Sequence, residues 1–372
     1  MVTVILVAIG TAAATWLIGG LSTPRPARSS ASERPAVSVV VPARNESATL
    51  PTLFGSLVRL DPGPLEIIVV DDESDDGTAD IARAHGAIVV TTSPPPGWLG
   101  KPWACHVGAE AATGGLLVFL DADTCLAPDA LGTLIAEHAA HGGLVSVQPY
   151  HVTVRPYEEL SAYCSAVAML GSGAFAIAGP SPTAVAFGPC LVTSVGDYER
   201  AGGHGAVRAE VLEDIHLARR YQAAGLAVTC LAGGDRIRFR MYPGGLRQLV
   251  DGWGKNIAAG ASAASPVAVV ATVVWVAAHA AVAVAAIGGV VGWLAGGGDP
   301  PLVPALCWLL VAVHQRWLLG RIGSFRWPTA IVFPVPLAAF IVIFARSLFM
   351  TGLRRQVTWR GRRIDLSMRD DR

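Results

Sequence analysis

Alternating strands and helices in mid-chain, with unbroken apolar runs at both ends, predict an α/β protein. The expected form is a mostly parallel sheet with helices on both faces, plus one N-terminal and two to three C-terminal membrane helices. Composition is the first observation behind this. Only 15% of the 372 residues are charged and 52% are hydrophobic, against about 25% charged in an ordinary soluble protein. Segregation is the second. Residues 1–21 carry no charge, residues 25–255 read as a soluble domain, and from Pro266 to about Phe349 the chain is mostly Ala, Val, Leu, Ile and Trp. The third is a repeated β-α-β-α order in the soluble part, which implies parallel strands joined by crossovers.

Val2–Leu21 is long enough to span a bilayer, which takes about 20 apolar residues. It lacks the basic start of a secretory signal. Its arginines follow instead (Arg25, Arg28, Arg34), which predicts an anchor with its N-terminus outside and the rest of the soluble domain cytoplasmic. Ser22–Pro35 reads as a linker. Expected strands are Val37–Val41, Leu65–Val70, Ala87–Thr91, Leu116–Leu120 and Leu144–Val147, with a further one at Arg236–Tyr242. Helices are expected from Ser47 to about Arg59, over Gly77–Ala84, from Pro102, over Pro128–His138 and over Val211–Ala224. Residues 158–179 read as helix or loop. Pro243–Ala264 reads as an interfacial helix, with Trp253 and Lys255 suited to a headgroup zone. The C-terminal apolar runs are 266–294, 302–320 and 328–349. His314, Gln315 and Arg316 interrupt the middle one. Four full spans would put the arginine-rich tail (Arg354, Arg355, Arg360, Arg362, Arg363) outside, against the positive-inside tendency. The 302–320 run or the Pro334/Pro336 run is therefore expected to be re-entrant or interfacial. The expected domains are an anchor at 1–21, a linker at 22–35, a cytosolic catalytic domain at 36–265, a membrane region at 266–350 and a basic tail at 351–372.

The net charge is zero, so nothing draws the chain to nucleic acid. The six cysteines form no CxxC pair, which argues against a zinc or dithiol centre and for reduced thiols in a cytoplasmic region. Neither a P-loop nor GxGxxG is present, so neither an ATPase nor a dinucleotide enzyme is indicated.

Three motifs fall at strand ends, where open α/β sheets bind ligands. Val40-Val41-Pro42-Ala43-Arg44-Asn45-Glu46 closes the first strand and offers Pro42, Arg44 and Glu46. Val69-Val70-Asp71-Asp72-Glu73-Ser74-Asp75-Asp76-Gly77-Thr78 closes the second. Asp72 to Gly77 partly fits a calcium loop, but its twelfth position is Arg83 where calcium needs a glutamate. Asp75 and Asp76 suit helix capping, which leaves Asp71 and Asp72 for ring N–H groups or ribose hydroxyls. Phe119-Leu120-Asp121-Ala122-Asp123 closes the fourth strand. Residues i and i+2 of an extended chain share a face, so Asp121 and Asp123 are expected to face one hard divalent cation together.

As a set, in this order and spacing, these motifs resemble the family 2 glycosyltransferases of GT-A fold, over roughly residues 36–260. The resemblance implies a nucleotide-diphospho-sugar donor, with a UDP-sugar expected, a Mg²⁺ or Mn²⁺ ion, and inversion at the anomeric carbon. By resemblance, Asp72 reads the nucleobase, Asp121 lies near ribose and metal, and Asp123 holds the metal. Lys101, in Leu99-Gly100-Lys101-Pro102-Trp103, precedes a helix N-terminus, and both ammonium and helix end favour phosphate. In Val211-Leu212-Glu213-Asp214-Ile215 the family implies an acidic pair, with Asp214 as the base that deprotonates the acceptor and Glu213 its neighbour. His204, in Gly202-Gly203-His204, and Trp253 are candidates to line the acceptor site.

Processive members of the family carry Q-x-x-R-W near Gln248-Leu249-Val250-Asp251-Gly252-Trp253. The arginine is missing here, which counts against a polymerase. Arg240-Met241-Tyr242-Pro243-Gly244-Gly245, Gly252-Trp253-Gly254-Lys255-Asn256 and Val357-Thr358-Trp359-Arg360-Gly361-Arg362-Arg363 resemble the carotenoid-acid glycosyltransferase branch instead. The implied acceptor is a membrane lipid, presented by the bilayer to a cytosolic donor site at the cell membrane. A carboxylate acceptor is already ionised and needs Asp214 less. Two other readings stand beside this one: a polyprenyl-phosphate or other glycolipid glycosyltransferase, and a non-catalytic membrane assembly protein with a transferase-like domain.

Overall fold

The computed structural model describes residues 2–25, 35–180, 184–263, 265–297, 299–354, 356–359 and 362–365. Most of the expected linker, and Arg355 and Arg360 of the basic tail, lie outside the described residues. The chain runs through α1 (Val2–Ile18), β1 (Val37–Ala43), α2 (Leu50–Leu57), β2 (Glu66–Asp72), α3 (Thr78–Ala84), β3 (Ile88–Thr92), α4 (Gly100–Ala111), β4 (Leu116–Leu120), β5 (Thr124–Leu126), α5 (Ala130–His141), β6 (Leu144–Gln148) and β7 (Tyr150–His151). It continues through α6 (Ala162–Ser172), β8 (Cys190–Ser194), α7 (Val195–Arg200), α8 (Glu213–Ala223), β9 (Val228–Ala232), β10 (Ile237–Phe239), α9 (Leu246–Ala263), α10 (Pro266–Leu294), α11 (Leu302–Ile322), α12 (Trp327–Ile331) and α13 (Pro334–Arg354), and ends on a hairpin of β11 (Gln356–Trp359) and β12 (Arg362–Asp365). Two compact units result. One holds residues 22–150 and 182–240, the other residues 1–21, 151–181 and 241–372.

The first unit is a seven-stranded sheet in the order β3-β2-β1-β4-β8-β6-β9. Pairs β1–β2, β1–β4, β2–β3 and β6–β9 are parallel, and β8 alone runs antiparallel to both neighbours. Period-two alternation sorts the strand residues onto two faces. Val39, Val41, Val69, Val118, Leu120 and Val192 pack with Leu53, Phe54, Leu131 and Leu134 of α2 and α5. Val40, Leu117, Phe119 and Leu191 pack with Cys105 of α4 and Leu217, Ala218 and Tyr221 of α8. Both faces are covered, so the central strands read as continuous apolar runs. The expected strands and helices of this unit are present. Helix α4 starts at Gly100, two residues before the expected Pro102, which places Lys101 in its first turn. Strands β8 and β9 had no counterpart in the expectation: Cys190-Leu191-Val192 is too short an apolar run to stand out from its Gly-Pro surroundings.

The second unit is helical. Helices α10 and α11 are long and apolar enough to cross a membrane, whereas α1 and the apolar stretch Pro334–Met350 are shorter. Gly10 of α1 packs so close to α10 that a side chain there would meet the Ala278 Cβ at 2.9 Å, the small-residue contact that lets apolar helices approach. The 302–320 run is one unbroken helix, because its polar residues His314 and Gln315 share a buried face with Cys307, Val311 and Leu318. The break falls in the last run, where Pro334 separates α12 from α13. Proline clashes with the preceding turn and interrupts a helix there.

Candidate active site

The sheet brings three of the sequence motifs to one edge. β1 lies between β2 and β4 and parallel to both, with Ala43 opposite Asp71 and Val40 opposite Phe119. Asp71–Asp72 and Asp121 therefore leave the same edge on either side of Arg44. At about 4.8 Å per strand the two acidic ends stand about 10 Å apart. Strand order reverses at β1, the kind of switch point that opens a crevice for ligands.

The first two loops are locked together by side chains. Asn45 N–H donates to Ser74 Oγ (2.9 Å), and Asp75 N–H returns to Asn45 Oδ1 (3.0 Å). Glu46 N–H donates to Thr78 Oγ1 (2.8 Å), and Ser47 N–H to Asp76 Oδ2 (3.0 Å). Asp76 also accepts from the Thr78 N–H and hydroxyl. Burial pushes its carboxyl up, but these bonds outweigh that and hold it below its ordinary value. Gly77 at φ 82° makes the turn into α3, a conformation only glycine adopts at no cost. Arg44 Nη1 donates to the Asp72 carbonyl (2.5 Å) and stands 3.5 Å from its carboxylate and 3.7 Å from Glu73. Asp72 is 1% exposed. Of the remaining first-motif candidates, Pro42 sits within β1 opposite Val70. Glu46 is turned to the head of α2, where its carboxylate accepts from the Thr49 hydroxyl at 2.6 Å.

A charged network gathers the third and fourth motifs. Lys101 Nζ is 2.8 Å from Asp121 Oδ1 and 3.2 Å from Glu213 Oε1. Burial pulls the ammonium's pKa down, but the two carboxylates outweigh it and hold it well above the ordinary lysine value. Asp214, beside Glu213 in the first turn of α8, accepts from Gly188 N–H (2.8 Å) and Ile215 N–H (2.9 Å). Burial and the Glu213 charge push its carboxyl up to about 6, against the opposing pull of Lys101. Gly188 was not anticipated from the sequence. A Cβ there would sit 3.1 Å from Lys101 Nζ and 3.2 Å from Asp214 Oδ2. Its one visible signal was the Gly-Pro step that opens β8.

Asp121 and Asp123 do not lie on one extended strand. The chain is not extended there: Thr124 N–H and hydroxyl both donate to the Asp121 carbonyl (3.1 and 2.8 Å), closing a turn that buries Ala122 in the core at 2% exposure. His204 is also inside the core. It is 1% exposed, shares hydrogen bonds with the Tyr198 hydroxyl through N–H and Nδ1 (2.9 Å each) and stands edge-on to Phe119. Burial drives its pKa down to about 3, so it is a neutral packing histidine and not an open acceptor contact. Trp253 belongs to the helical unit. There its indole N–H donates to Ser161 Oγ (3.0 Å) and its ring meets Tyr242 edge-on.

With this geometry in hand, comparison with known proteins places the chain. It is 32% identical over 354 residues to the 4,4'-diaponeurosporenoate glycosyltransferase of Staphylococcus aureus strain USA300, covering 89% of each. The chain belongs to glycosyltransferase family 2. Residues 38–195 match the family described as glycosyl transferase family 2, and the chain is an enzyme of that class. The enzyme of the same name from Staphylococcus haemolyticus is 38% identical over 237 residues, 62% of this chain and 63% of that relative, so that match spans less than two thirds of the relative. A mannosyltransferase of Pyrobaculum calidifontis, solved with GDP-Man and Mn²⁺, superposes with TM-score 0.52 at 20% identity, over 91% of this chain and 99% of that one. That likeness supports the GT-A fold.

Among the described residues, no three His, Cys, Asp or Glu side chains form a metal cage. A hard cation can also be held by one or two carboxylates and draw its other ligands from phosphate and water. Asp121 spends Oδ1 on Lys101. Its second oxygen and the Asp123 carboxylate, two residues along the turn, are oxygen donors of the kind a hard cation takes.

Proposed function

We propose that this glycosyltransferase moves a sugar from a nucleoside diphosphate, UDP in the first instance, to an acceptor in the membrane, of which a carotenoid acid is the leading case. The reading rests on the network in which Lys101 stands between Asp121 and the Glu213–Asp214 pair, at the same sheet edge as Arg44 and Asp72. In it, Asp72 and Arg44 hold the nucleoside end of the donor. Lys101 neutralises diphosphate charge and gains from the N-terminus of α4. Asp121 and Asp123 would hold Mg²⁺ or Mn²⁺, which when bound supplies Lewis-acid stabilisation of the leaving diphosphate.

Acceptor oxygen attacks the anomeric carbon from the face opposite the diphosphate. The new carbon–oxygen bond forms as the old one breaks, and the configuration inverts. Asp214 takes the proton of a hydroxyl acceptor, and a carboxyl value near 6 leaves it ionised and basic at neutral pH. A carboxylate acceptor brings no proton, and Asp214 is then spared. Helices α10 and α11 support association with a bilayer, and the arginines after α1 support a cytoplasmic catalytic unit.

The test is to incubate membranes carrying the protein with a panel of labelled UDP- and GDP-sugars and identify labelled lipid. One UDP-sugar is expected to label a lipid, with the Asp123→Ala variant reduced by about 100-fold or more. No lipid label from any donor would overturn the reading. Full metal-stimulated transfer by the variant would overturn the metal assignment.

A further inference from the structure

Helix α11 is long and apolar enough to cross a membrane, yet its last two turns carry Arg316 and Arg321. Two other arginines of the helical unit have carboxylate partners: Arg326 Nε stands 3.9 Å from Glu159, and Arg346 Nη2 stands 2.7 Å from Asp251. Among the described residues, Arg316 and Arg321 have no such partner. Each lies over a tryptophan ring instead. The Arg316 guanidinium is 5.4 Å from the Trp327 ring centroid, and that of Arg321 is 5.2 Å from Trp317. Both arginines are half-buried, whereas Trp327 and Trp317 are 54% and 40% exposed.

Gly320 gives Arg316 its path to the helix end. A Cβ there would collide with Arg316 Nη1, so the missing side chain lets the guanidinium lie one turn beyond its own Cα. At 1.5 Å per residue that Cα stands about 9 Å from the end of α11 and the charge about 3 Å from it. Long basic side chains near the ends of spanning helices reach for the headgroup zone in this way. Tryptophan is enriched at the same depth. A second helix marks that depth independently. Arg321 Nη2 donates to the carbonyl of Leu21 (3.4 Å), which closes the apolar run of α1 just before the chain passes to the other unit at Ser22.

A ring takes the face of a guanidinium and leaves its N–H edge, the part that matches phosphate oxygens in pairs. We infer that the end of α11 is a surface for anionic lipid, on which Arg316 and Arg321, flanked by Trp327 and Trp317, take the phosphates of negatively charged phospholipids. The inference rests on α10 and α11 lying in a bilayer. Their exposed aliphatic faces hold the protein there, and the two arginines select its lipid neighbours by charge.

Electron spin resonance of labelled lipids tests this on the full-length protein in dioleoylphosphatidylcholine vesicles. Spin-labelled phosphatidylglycerol is compared with spin-labelled phosphatidylcholine of the same chains. At low salt the protein-restricted fraction is expected to favour phosphatidylglycerol by about twofold or more in relative association constant. The paired substitutions Arg316→Gln and Arg321→Gln are expected to abolish that difference, and Arg316→Lys with Arg321→Lys to keep it. Equal association of both lipids with the wild-type protein would overturn the inference. So would a preference that survives the glutamine pair, which would belong to other basic residues, or one lost in the lysine pair as well, which would not follow charge. Absence of restricted lipid with either label would refute the bilayer placement itself. No arm depends on sugar transfer, so failure of the selectivity leaves the proposed reaction standing.

Discussion

Lys101 holds one ammonium against Asp121 and Glu213 at 2.8 and 3.2 Å, and Asp214 feels both it and Glu213. Lys101→Met removes that charge and leaves the carboxylates of Asp121, Glu213 and Asp214 without it. Transfer is expected to fall by about 100- to 1,000-fold, the scale of losing one preorganised donor to developing charge. The pH profile carries a separate signature. In the proposed reaction Asp214 serves as base only when ionised, so with a hydroxyl acceptor activity is expected to rise with pH through about 6 and then level. Lys101 lowers that value in the wild-type protein, so the residual activity of Lys101→Met has its acid limb shifted upward. With a carboxylate acceptor Asp214→Asn turns over near normally, with no limb at that pH, and this separates the two acceptor classes. Gly188→Ala probes the same network sterically. Its Cβ would press on Lys101 Nζ and Asp214 Oδ2 at 3.1 and 3.2 Å. A displacement of a few tenths of an ångström in a preorganised site is expected to cost about tenfold in kcat, with unchanged circular dichroism. Wild-type kcat in this variant would remove Gly188 from the site.

Between residues and whole lies the junction of the β1 and β2 loops, and here one element depends on another's side chains. Thr78 is fully buried, accepts the Glu46 N–H and donates to Asp76. Thr78→Val keeps the shape but orphans a buried donor, at a cost of about 1–3 kcal/mol. The urea midpoint should fall accordingly, and KM for the donor should rise with kcat little changed, because Arg44 and Asp72 lose their shared frame. An unchanged midpoint would show the junction to be incidental. Such a junction was invisible in the sequence, where Ser74, Asp76 and Thr78 read as a turn and a cap. The strands were readable because Val37–Val41 and Leu116–Leu120 are buried on both faces and have no polar alternation to confuse them. Strand β8 was not, since its antiparallel pairing with β4 and β6 is a long-range choice that three apolar residues do not announce. Gly188 was lost with it. The acidic motifs were legible as strand ends, but the turn at Asp121–Thr124 was not, because a period-two argument assumes a strand that has already ended.

At the scale of the whole molecule, the decisive property is where apolar surface remains uncovered. Along α11 Cys307, Ala312, His314 and Gln315 are buried, whereas Leu302, Val303, Leu306, Leu309, Leu310 and Val313 are all more than half exposed. On α10 Val267, Val270, Val273, Val284, Ile287 and Val291 do the same. A fully covered Val, Leu or Ile is worth about 1.5–3 kcal/mol, so covering a dozen half-exposed ones amounts to roughly 10 kcal/mol. Water does not supply that and a soluble monomer does not leave such a patch open. Hydrocarbon chains supply it. Electrostatic attachment would be a weak substitute, because the chain has no net charge and surface pairs are screened by salt. Membranes washed with alkaline carbonate or 1 M salt, at which the Debye length is about 3 Å, are therefore expected to keep the protein in the pellet, with detergent needed to release it. Recovery in the carbonate supernatant would mean that α10 and α11 cover their exposed faces with protein, and would remove the bilayer as the source of the acceptor.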